Sequence, residues 1–555
     1  MKTIALALVC LAPLAHAGDG LRTVTGRVFH DANANGLFDA GEKRLVGALV
    51  SNGRDVVRTD ADTGMYTLTV DDDDIVFLCK PRGWMVPTDG NGLPQHYYLH
   101  KPNGSPEGLK FGGVEPTGPL PEYVDFPVVP APESDRFSVI LFGDPQPYTI
   151  DQVDHFKNDI MPEVLRYIEN NRVAFGTTLG DIVGDDLDLF APLNDVIGAA
   201  GIPWLNVYGN HDMDFDVDNN DDADETFNRV YGPTTYAYQV GNIHFVVMDN
   251  VMYEGQRDNG RNGGYSCGLT DEQQTFIRNY FYATSHLPDD RYVLLMHIPA
   301  HEFDDVITGV FGEEIPEHAP QRILLSVGAH WHKHADFMLQ TRDARGNETT
   351  HHHIVNVTTS GSWWQGQPDE YGIPHTMMRD GKPNGWSVLT FDPELPHQYE
   401  IRYKAARKPW TDQLHIHAPD SVVAGRMLTE QDLADSRSVD NPQPLPGHER
   451  TVTINLWSGS QLSKVEVRYV HVQSGDTTAW KMLNAEIGTD PFWARLKDLE
   501  EKGEAPKMTS GNSDAWLWYD EMPETLKPGS YTIEVRETNR YGHVHTAKRI
   551  VRVTE

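Results

Sequence analysis

The sequence predicts a mixed α+β protein, in which a core of packed sheets covered by helices lies between two β-rich regions. With 555 residues, the chain is too long for one ordinary domain. In its middle part, apolar runs of strand length first alternate with helical patterns and then follow one another directly. At both ends, short β-like runs are separated by turn residues.

The first 17 residues have the form of a secretory signal. Lys2 precedes the apolar stretch Ile4 to Leu14, and Ala15-His-Ala17 is a small-residue cleavage site before Gly18. A membrane anchor needs an apolar run of about 18 residues or more, and this run is shorter and contains a proline. We therefore expect an exported protein, periplasmic or extracellular, without a membrane span.

The exported chain is strongly acidic. The formal charge is −35, and loss of Lys2 with the signal leaves 45 basic against 81 acidic residues, or −36. Such an exterior argues against binding to nucleic acid or to anionic membranes. It also repels phosphate-bearing substrates, so a site for them needs its own positive charge. Cys79 and Cys267 remain after cleavage, and the sequence leaves open whether they pair.

Both ends of the mature chain are predicted to be β-sandwiches. Residues 20–128 form the N-terminal one, and the proline-rich stretch Pro116 to Pro132 resembles a linker to the core. Residues 396–555 form an immunoglobulin-like (Ig-like) β-sandwich. The predicted strands are Arg22 to Phe29, Leu45 to Ser51, Met65 to Val70, Ile75 to Leu78, Thr451 to Leu456, Lys464 to Val470, Ser530 to Val535 and Arg549 to Val553.

Residues 135–395 form the predicted core. Apolar spacing predicts one helix over Val153 to Tyr167. The predicted core strands are Phe137 to Phe142, Val173 to Leu179, Trp204 to Tyr208, Ile243 to Met248, Tyr292 to Met296, Ile323 to Val327, Ile354 to Val357 and Ser387 to Phe391.

Five short polar segments follow these predicted core strands. They are Asp144-Pro-Gln146, Gly180-Asp181, Gly209-Asn210-His211-Asp212, His297 and His330-Trp-His332. Open sheets place their binding crevices beyond the carboxyl ends of strands, and the neighbouring glycines allow sharp turns there. A single aspartate of this kind is often a turn former, and a lone histidine is usually hydrogen-bonded core. Their ordered recurrence instead indicates oxygen and imidazole donors for two metal ions, a centre suited to hydrolysis.

These segments resemble the motifs D-x-H, G-D, G-N-H-D/E, H and G-H-x-H of the calcineurin-like metallophosphoesterases, over roughly residues 137 to 395. The resemblance implies a four-layer αββα core that holds two divalent ions. Asp181 would bridge the two ions. The implied ligands are Asp144, Gln146, Asp181 and His332 for one ion, and Asp181, Asn210, His297 and His330 for the other.

The chain departs from the family pattern at two positions. Gln146 stands where the family usually has histidine, and Ala329 separates Gly328 from His330. The amide oxygen of Gln146 is a weaker and harder ligand than imidazole, which shifts its site from zinc toward manganese, magnesium or iron. The insertion leaves the H-x-H spacing intact.

The resemblance also implies a mechanism for hydrolysing a small phosphorylated substrate, either a phosphate monoester or a diester. Two metals about 3.5 to 4 Å apart ionise a bridging water, and the resulting hydroxide attacks the phosphorus in line. His211 is placed to stabilise the transition state or to protonate the leaving oxygen. Asp212 either orients His211 or caps the loop.

Twelve residues near the N-terminus match the spacing of a calcium loop, and their flanks resemble the N-terminal β-domain of the same family. The oxygen donors are Asp31, Asn33, Asn35, Asp39 and Glu42, with glycine at position 6. We predict a structural calcium ion there, and the alternative is a turn rich in Asn and Asp.

A segment after the core motifs is the candidate substrate wall. Trp363 and Trp364 offer aromatic rings to a leaving group, and Arg379 or Lys382 offers a cation to phosphate. The alternative is that both tryptophans pack between the core and the C-terminal sandwich.

Two other functions remain open from the sequence. One is a cell-surface binding protein with a weak or inactive phosphatase core, which Gln146 alone favours. The other is a metal-dependent hydrolase of a non-phosphate ester. The sequence does not indicate the natural substrate or the oligomeric state.

Overall fold

The computed structural model describes residues 20–257, 262–300, 322–342, 348–423, 450–507 and 514–555. The predicted secretory signal lies outside these ranges. Within them the chain is a sheet-rich protein with few helices, so the mixed α+β class is confirmed. None of the described helices is both long and apolar enough to cross a membrane.

The strands, labelled in chain order, are as follows. They are β1 (Arg22–His30), β2 (Lys43–Arg44), β3 (Leu49–Ser51), β4 (Val56–Arg58), β5 (Met65–Val70), β6 (Ile75–Cys79), β7 (Trp84–Met85), β8 (Tyr97–Leu99), β9 (Phe126–Pro130), β10 (Phe137–Phe142), β11 (Val173–Leu179), β12 (Trp204–Val207), β13 (Tyr236–Val240), β14 (Ile243–Val247), β15 (Val251–Tyr253), β16 (Tyr265–Cys267), β17 (Arg291–Leu295), β18 (Ile323–Gly328), β19 (Ala335–Arg342), β20 (Glu348–Val355), β21 (Gly385–Phe391), β22 (Tyr399–Ala405), β23 (Leu414–His417), β24 (Ser421–Val423), β25 (Thr451–Leu456), β26 (Lys464–His471), β27 (Lys481–Leu483), β28 (Ala485–Gly488), β29 (Ala515–Glu521), β30 (Gly529–Thr538) and β31 (Val544–Thr554).

The helices include a break that the sequence pattern did not predict. They are α1 (Ile150–Asp159), α2 (Met161–Asn170), α3 (Phe190–Gly198), α4 (Glu225–Tyr231), α5 (Asp271–Thr284) and α6 (Pro491–Glu501). The prediction of one helix over Val153 to Tyr167 is wrong, because the chain breaks at Ile160 into α1 and α2. Pro162 stands in the first turn of α2, where a missing N–H costs nothing, whereas inside a continuous helix it would remove a hydrogen bond.

Two mixed sheets form the core. The first has the order β12-β11-β10-β21-β22, with β10, β11 and β12 parallel. The second has the order β13-β14-β17-β18-β20-β19, with β14, β17, β18 and β20 parallel. The parallel strands are neighbours within each sheet, starting from the edge strand β12 in the first sheet and lying in the middle of the second. Their carboxyl ends therefore lie side by side at one edge.

Alternating side chains of β10 show how the layers stack. Val139 and Leu141 belong to one buried cluster with residues of the second sheet, including Phe245. Ile140 and Phe142 point the other way, into a cluster with residues of α1, α2 and α3. On the far side of the second sheet, α5 packs against β14, and Tyr280 of α5 meets His244 with 2.6 Å between the Tyr280 oxygen and Nδ1.

The flanking regions consist of smaller sheets. The N-terminal ones have the orders β2-β1-β9-β7, with β5 also paired to β1, and β4-β3-β6-β8. The C-terminal ones have the orders β23-β25-β29-β28 and β24-β31-β30-β26-β27, and they share one buried cluster. The β-sandwich layout of these regions stays a prediction.

The proline-rich stretch predicted as a linker contains a strand, so that prediction is wrong for part of its length. Within it, β9 pairs in parallel with β1 and antiparallel with β7. Phe126 and Val128 are buried, which is the alternation of a half-buried strand. Two of the prolines that suggested a linker, Pro127 and Pro130, lie within this strand.

Candidate metal centre

The polar segments predicted from the sequence meet at the edge where the parallel core strands end. Each candidate ligand follows the end of a strand within a few residues. Asp144 follows β10, Asp181 follows β11, Asn210 follows β12, His297 follows β17, and His330 and His332 follow β18. Because both sheets direct their carboxyl ends to this edge, side chains from distant parts of the sequence come together.

Two groups of side chains could each hold a metal ion, and they share one residue. Asp181, His297 and His330 form the first group, and Asp144, Asp181 and His332 form the second. Within each group, the ligand atoms lie within 4.8 Å of one another. Asp181 therefore sits where a carboxylate would bridge two ions.

Hydrogen bonds orient the imidazole of His297. Its Nδ1 donates to the carbonyl oxygen of Leu179 at 2.8 Å, which fixes the ring. Its Nε2 then points into the centre, 3.1 Å from Asp181 Oδ1 and 3.0 Å from the Asn210 amide oxygen. A histidine ligand held through its other nitrogen is the usual arrangement around metals in proteins.

The two histidines after β18 also reach the centre. His332 Nδ1 donates to the carbonyl oxygen of Gly361 at 2.9 Å, and its Nε2 lies 3.9 Å from Asp144 Oδ1. His330 Nδ1 lies 3.2 Å from His297 Nε2. The backbone N–H of His330 also donates to Asp144 Oδ1 at 3.0 Å, which ties this loop to the loop after β10.

Gln146 supplies a test of whether the residues fit a cation. Its side chain is fully buried, and its amide oxygen has no hydrogen-bond partner. The amide nitrogen donates to the Tyr148 hydroxyl at 3.3 Å, so the oxygen is the free end. A buried acceptor without a partner is costly, and a cation would satisfy it. The donor set therefore fits a divalent metal ion.

Charges at the centre point to the same conclusion. Burial raises the pKa of Asp144 to about 7, and the neighbouring Asp181 carboxylate adds to the rise. The pKa of Asp181 is lowered despite its burial, because His297 and His211 stabilise its charge. Burial lowers the pKa of His297, but Asp181 more than offsets this and raises it to about 9. The groups whose pKa values are raised, Asp144 and His297, would lose their protons on binding a metal ion.

The ligands themselves adopt uncommon backbone conformations. Asp144, Gln146, Asp181, His330 and His332 have φ angles of 45°, 41°, 48°, 67° and 52°. Residues other than glycine rarely adopt positive φ, and such strain concentrates at functional sites. Of the glycines that precede ligands, Gly180 has a φ of 83°, as expected for a sharp turn, whereas Gly143 and Gly209 allow close approach of other backbone atoms.

Close approach is clearest at the glycine before the Asn210 ligand. A Cβ on Gly209 would lie 2.0 Å from the backbone nitrogen of Asp181. Only glycine lets these two loops touch, so it sets the distance between Asn210 and Asp181.

His211 pairs with an aspartate that the sequence motifs did not single out. Its Nδ1 lies 2.5 Å from Asp185 Oδ1, and its backbone N–H donates to Asp181 Oδ1 at 3.0 Å. Burial lowers the pKa of His211, but the charges of Asp181 and Asp185 outweigh it and raise the pKa to about 9. The only sequence signal for Asp185 is its place four residues after Asp181, behind Gly184.

Asp212 takes the loop-capping role of the two that the sequence left open. Its carboxylate accepts hydrogen bonds from the backbone N–H groups of Ile182, Val183 and Gly209, at 3.2, 3.2 and 2.9 Å. It braces the loops after β11 and β12 against each other. Asp185, and not Asp212, orients the His211 ring.

The paired tryptophans occupy different environments. Trp364 is 3% exposed, its indole N–H donates to the carbonyl oxygen of Pro145, and it belongs to the buried cluster with α1. Trp363 is half-buried and stacks on the His332 ring with the centroids 4.3 Å apart. Trp364 is therefore a buried residue within the core, not at a contact with the C-terminal sandwich, and Trp363 lies beside the centre.

This difference predicts unequal losses of stability when each side chain is truncated. Trp364→Ala should lower the free energy of unfolding by about 3–5 kcal/mol, because it leaves a large cavity. Trp363→Ala should cost about 1 kcal/mol or less, since part of its ring is already in solvent. Denaturant unfolding of the two variants checks this, and equal losses would contradict the assignment.

Three further groups lie around the centre. Arg379 donates its backbone N–H to the His332 carbonyl oxygen at 2.9 Å, and its side-chain Nε is buried without a hydrogen-bond partner. The Tyr148 ring meets His211 edge-on with centroids 6.0 Å apart, and the Tyr265 ring meets His330 at 5.9 Å. Sequence reasoning missed both tyrosines, because no motif marks them.

The predicted calcium loop is closed by its own hydrogen bonds. Asp31 Oδ2 accepts from the Gly36 N–H at 2.8 Å, and Asp39 Oδ2 accepts from the side-chain amides of Asn33 and Asn35 at 2.8 and 2.9 Å. Glu42 Oε1 accepts from the Ala32 N–H at 2.9 Å. These are the bonds of the alternative, a turn rich in Asn and Asp, and calcium binding stays a prediction.

Comparisons with known proteins bear on the family. Residues 32–115 match the model of the N terminal of calcineurin-like phosphoesterase, and residues 353–545 match the model of its C terminal. No curated protein matches the chain.

Two solved structures are similar to the chain at low identity. A dimetal phosphatase from Danio rerio is 14% identical, with a TM-score of 0.33 over 48% of this chain and 96% of that one. A purple acid phosphatase from seeds of yellow lupin (Lupinus luteus) is 10% identical, with a TM-score of 0.31 over 70% and 67%. Both scores are too low to support an argument about the fold. The two family models show that the chain carries the N-terminal and C-terminal domains of calcineurin-like phosphoesterases.

Proposed function

We propose that this chain hydrolyses phosphate monoesters or diesters with two divalent metal ions. The observation that carries the proposal is the place of Asp181 in both candidate ligand groups. A shared carboxylate sets two ions at the separation that two-metal hydrolysis requires, about 3.5–4 Å. The unpartnered amide oxygen of Gln146 supports the same donor set.

The proposed ligands divide as the family resemblance implies. Asp144, Gln146, Asp181 and His332 would hold one ion, and Asp181, Asn210, His297 and His330 the other. Mn, Fe, Zn and Mg are all compatible with these nitrogen and oxygen donors. When bound, two such ions supply an ionised water for attack and neutralise the charge of the phosphoryl oxygens.

His211 is the proposed general acid. Its raised pKa, to about 9, keeps the ring protonated at neutral pH. Asp185 holds the ring through Nδ1, so the proton on Nε2 is the one available to the leaving oxygen.

Arg379 and Trp363 are the proposed substrate-binding residues. The unpartnered Nε of Arg379 offers a charged donor for a phosphoryl oxygen. Trp363 presents part of its ring beside the centre, where a leaving group can contact it.

Comparing mono- and bis-nitrophenyl phosphate tests the activity and the ester class together. We expect the metal-loaded protein to release nitrophenol from at least one of them, and the preferred ester to identify the class. Metal retained without hydrolysis of a broad panel of phosphate esters would contradict the proposal. That result would favour the alternative of a binding protein built on an inactive phosphatase core.

A structural calcium ion in the N-terminal loop is a separate part of the proposal. Its support is the spacing of oxygen donors in residues 31–42, with φ of 76° at Gly36. Millimolar calcium should raise the melting temperature of the wild type and leave that of Asp31→Asn unchanged. Equal responses of the two proteins in a thermal melt would contradict calcium binding by this loop.

The proposal also includes export and the domain layout expected from the sequence. Its support is the signal-like composition of residues 1–17 and the β-rich regions 20–128 and 396–555 around the core 135–395. The four-layer αββα arrangement of that core is likewise proposed. The N-terminal residue of the exported protein, Gly18 under this proposal, tests the cleavage site directly.

A further inference from the structure

The C-terminal region contacts the segment that carries Arg379. Met377 forms a small buried cluster with Trp493 and Ala494 of α6. Gly381 lies so close to the start of this helix that a Cβ would be 2.4 Å from the Cβ of Asp490. Its φ of 77° adds a second reason for glycine at this position.

Asp490 is the centre of this contact. It is fully buried and caps α6 by accepting from the N–H groups of Phe492 and Trp493, both at 2.9 Å. Its other oxygen accepts from His417 Nε2 and from the side-chain amide of Asn455, also at 2.9 Å. These bonds fix one carboxylate among three elements of the C-terminal region.

Asn455 extends the contact to the core. Its amide nitrogen also donates to the carbonyl oxygen of Asp380 at 3.0 Å. The Asp380 side chain is buried, pairs with Lys382 at 3.0 Å, and accepts from the His334 N–H at 3.0 Å. Asp380 thus connects the C-terminal region to the loop that follows β18.

The connection ends at the candidate metal centre. Between Asp380 and the centre stands Arg379, whose N–H donates to the carbonyl oxygen of His332. Two ion pairs hold the loop after β18 and the start of β19, Lys333 with Asp514 at 2.6 Å and Asp336 with Arg540 at 3.4 Å. Both partners, Asp514 and Arg540, belong to the C-terminal region.

We propose that Asp490 is a positioning residue for the metal centre. It acts through Asn455 and Gly381 on the segment 377–382, which places Arg379 beside His332. The C-terminal region is therefore a part of the active-site scaffold and not an independent binding module. The catalytic consequence of this placement rests on the proposed function, whereas the placement itself does not.

Hydrogen exchange in the full chain tests the placement without reference to activity. Asp490→Ala should speed exchange of the backbone amides in 377–382 by about tenfold, because it releases the segment from its contact. Asn455→Ala should act in the same direction, less strongly, and replaces the first variant if that one does not fold. Asp520→Ala is the matched control, since Asp520 is also buried but accepts from Tyr469 and Lys481 within the C-terminal sheets.

Kinetics with the metal-loaded protein test the consequence. In Asp490→Ala we expect KM for a nitrophenyl phosphate ester to rise about tenfold with kcat changed much less, because Arg379 is misplaced and the ligands remain. The Asp520→Ala control should leave both constants unchanged. Unchanged exchange in 377–382 in both test variants would overturn the proposal, as would faster exchange with an unchanged KM. An inactive wild type would overturn the proposed function instead, and exchange alone would then decide the placement.

Discussion

Asp181→Ala is expected to abolish binding of both metal ions and hydrolysis of phosphate esters together. Asp181 is the one residue common to the two candidate ligand groups, so its loss removes a ligand from each. We expect kcat/KM to fall at least about a thousandfold, equivalent to ~4 kcal/mol of transition-state stabilisation. Elemental analysis of the purified variant and initial rates measure the two effects.

Asp188→Ala is the matched control for that variant. Asp188 lies seven positions further along the same loop region and its side chain is exposed. It should keep the metal content and the rate of the wild type. An Asp181→Ala protein that retained one ion at full occupancy would show that the two groups fill independently, without a shared ligand.

His211→Ala is expected to lower kcat by about 10²–10⁴, the usual contribution of a general acid, with metal content unchanged. The ring is not among the proposed ligands, so the effect should separate chemistry from metal binding. Rates and elemental analysis on the same preparation check both parts. Loss of metal along with activity would instead make His211 a structural member of the centre.

The pH dependence gives a second test of this role. A protonated His211 is the active form, so its contribution is present below its pKa of about 9 and is lost as pH rises through that value. Removing the Asp185 carboxylate lowers this pKa, because both a hydrogen bond and a nearby negative charge disappear. In Asp185→Asn, the alkaline limb of kcat/KM should therefore move to lower pH. Asp186→Asn is the control and should leave the limb in place.

The sequence carried enough information to predict the class of fold and the elements that bring the ligands together. Buried strands produce continuous apolar runs, and polar residues directly after such runs fall at one sheet edge. The runs before Asp144 and Asp181 are strands with the predicted bounds, Phe137–Phe142 and Val173–Leu179. The division of the ligands between two ions could be predicted only from the family resemblance. Spacing in sequence does not give distances between loops.

Other features depend on contacts that a single sequence does not record. The apolar spacing typical of a helix continues across the break at Ile160 and therefore did not reveal it. Pro162, in the first turn of α2, was the local sign of the break. Asp185 lies beside His211 because the loop after β11 turns with positive φ at both Asp181 and Asp185. The contact of Asp490 with Gly381 joins residues more than a hundred positions apart and leaves no local pattern.

The most direct test of the shared-carboxylate centre is anomalous X-ray diffraction from crystals of the protein loaded with manganese. A shared-carboxylate centre predicts two anomalous peaks about 3.5–4 Å apart on either side of the Asp181 carboxylate. One peak should be in contact with Asp144, Gln146 and His332, and the other with Asn210, His297 and His330. A single peak, or two peaks of which only one contacts Asp181, would contradict it.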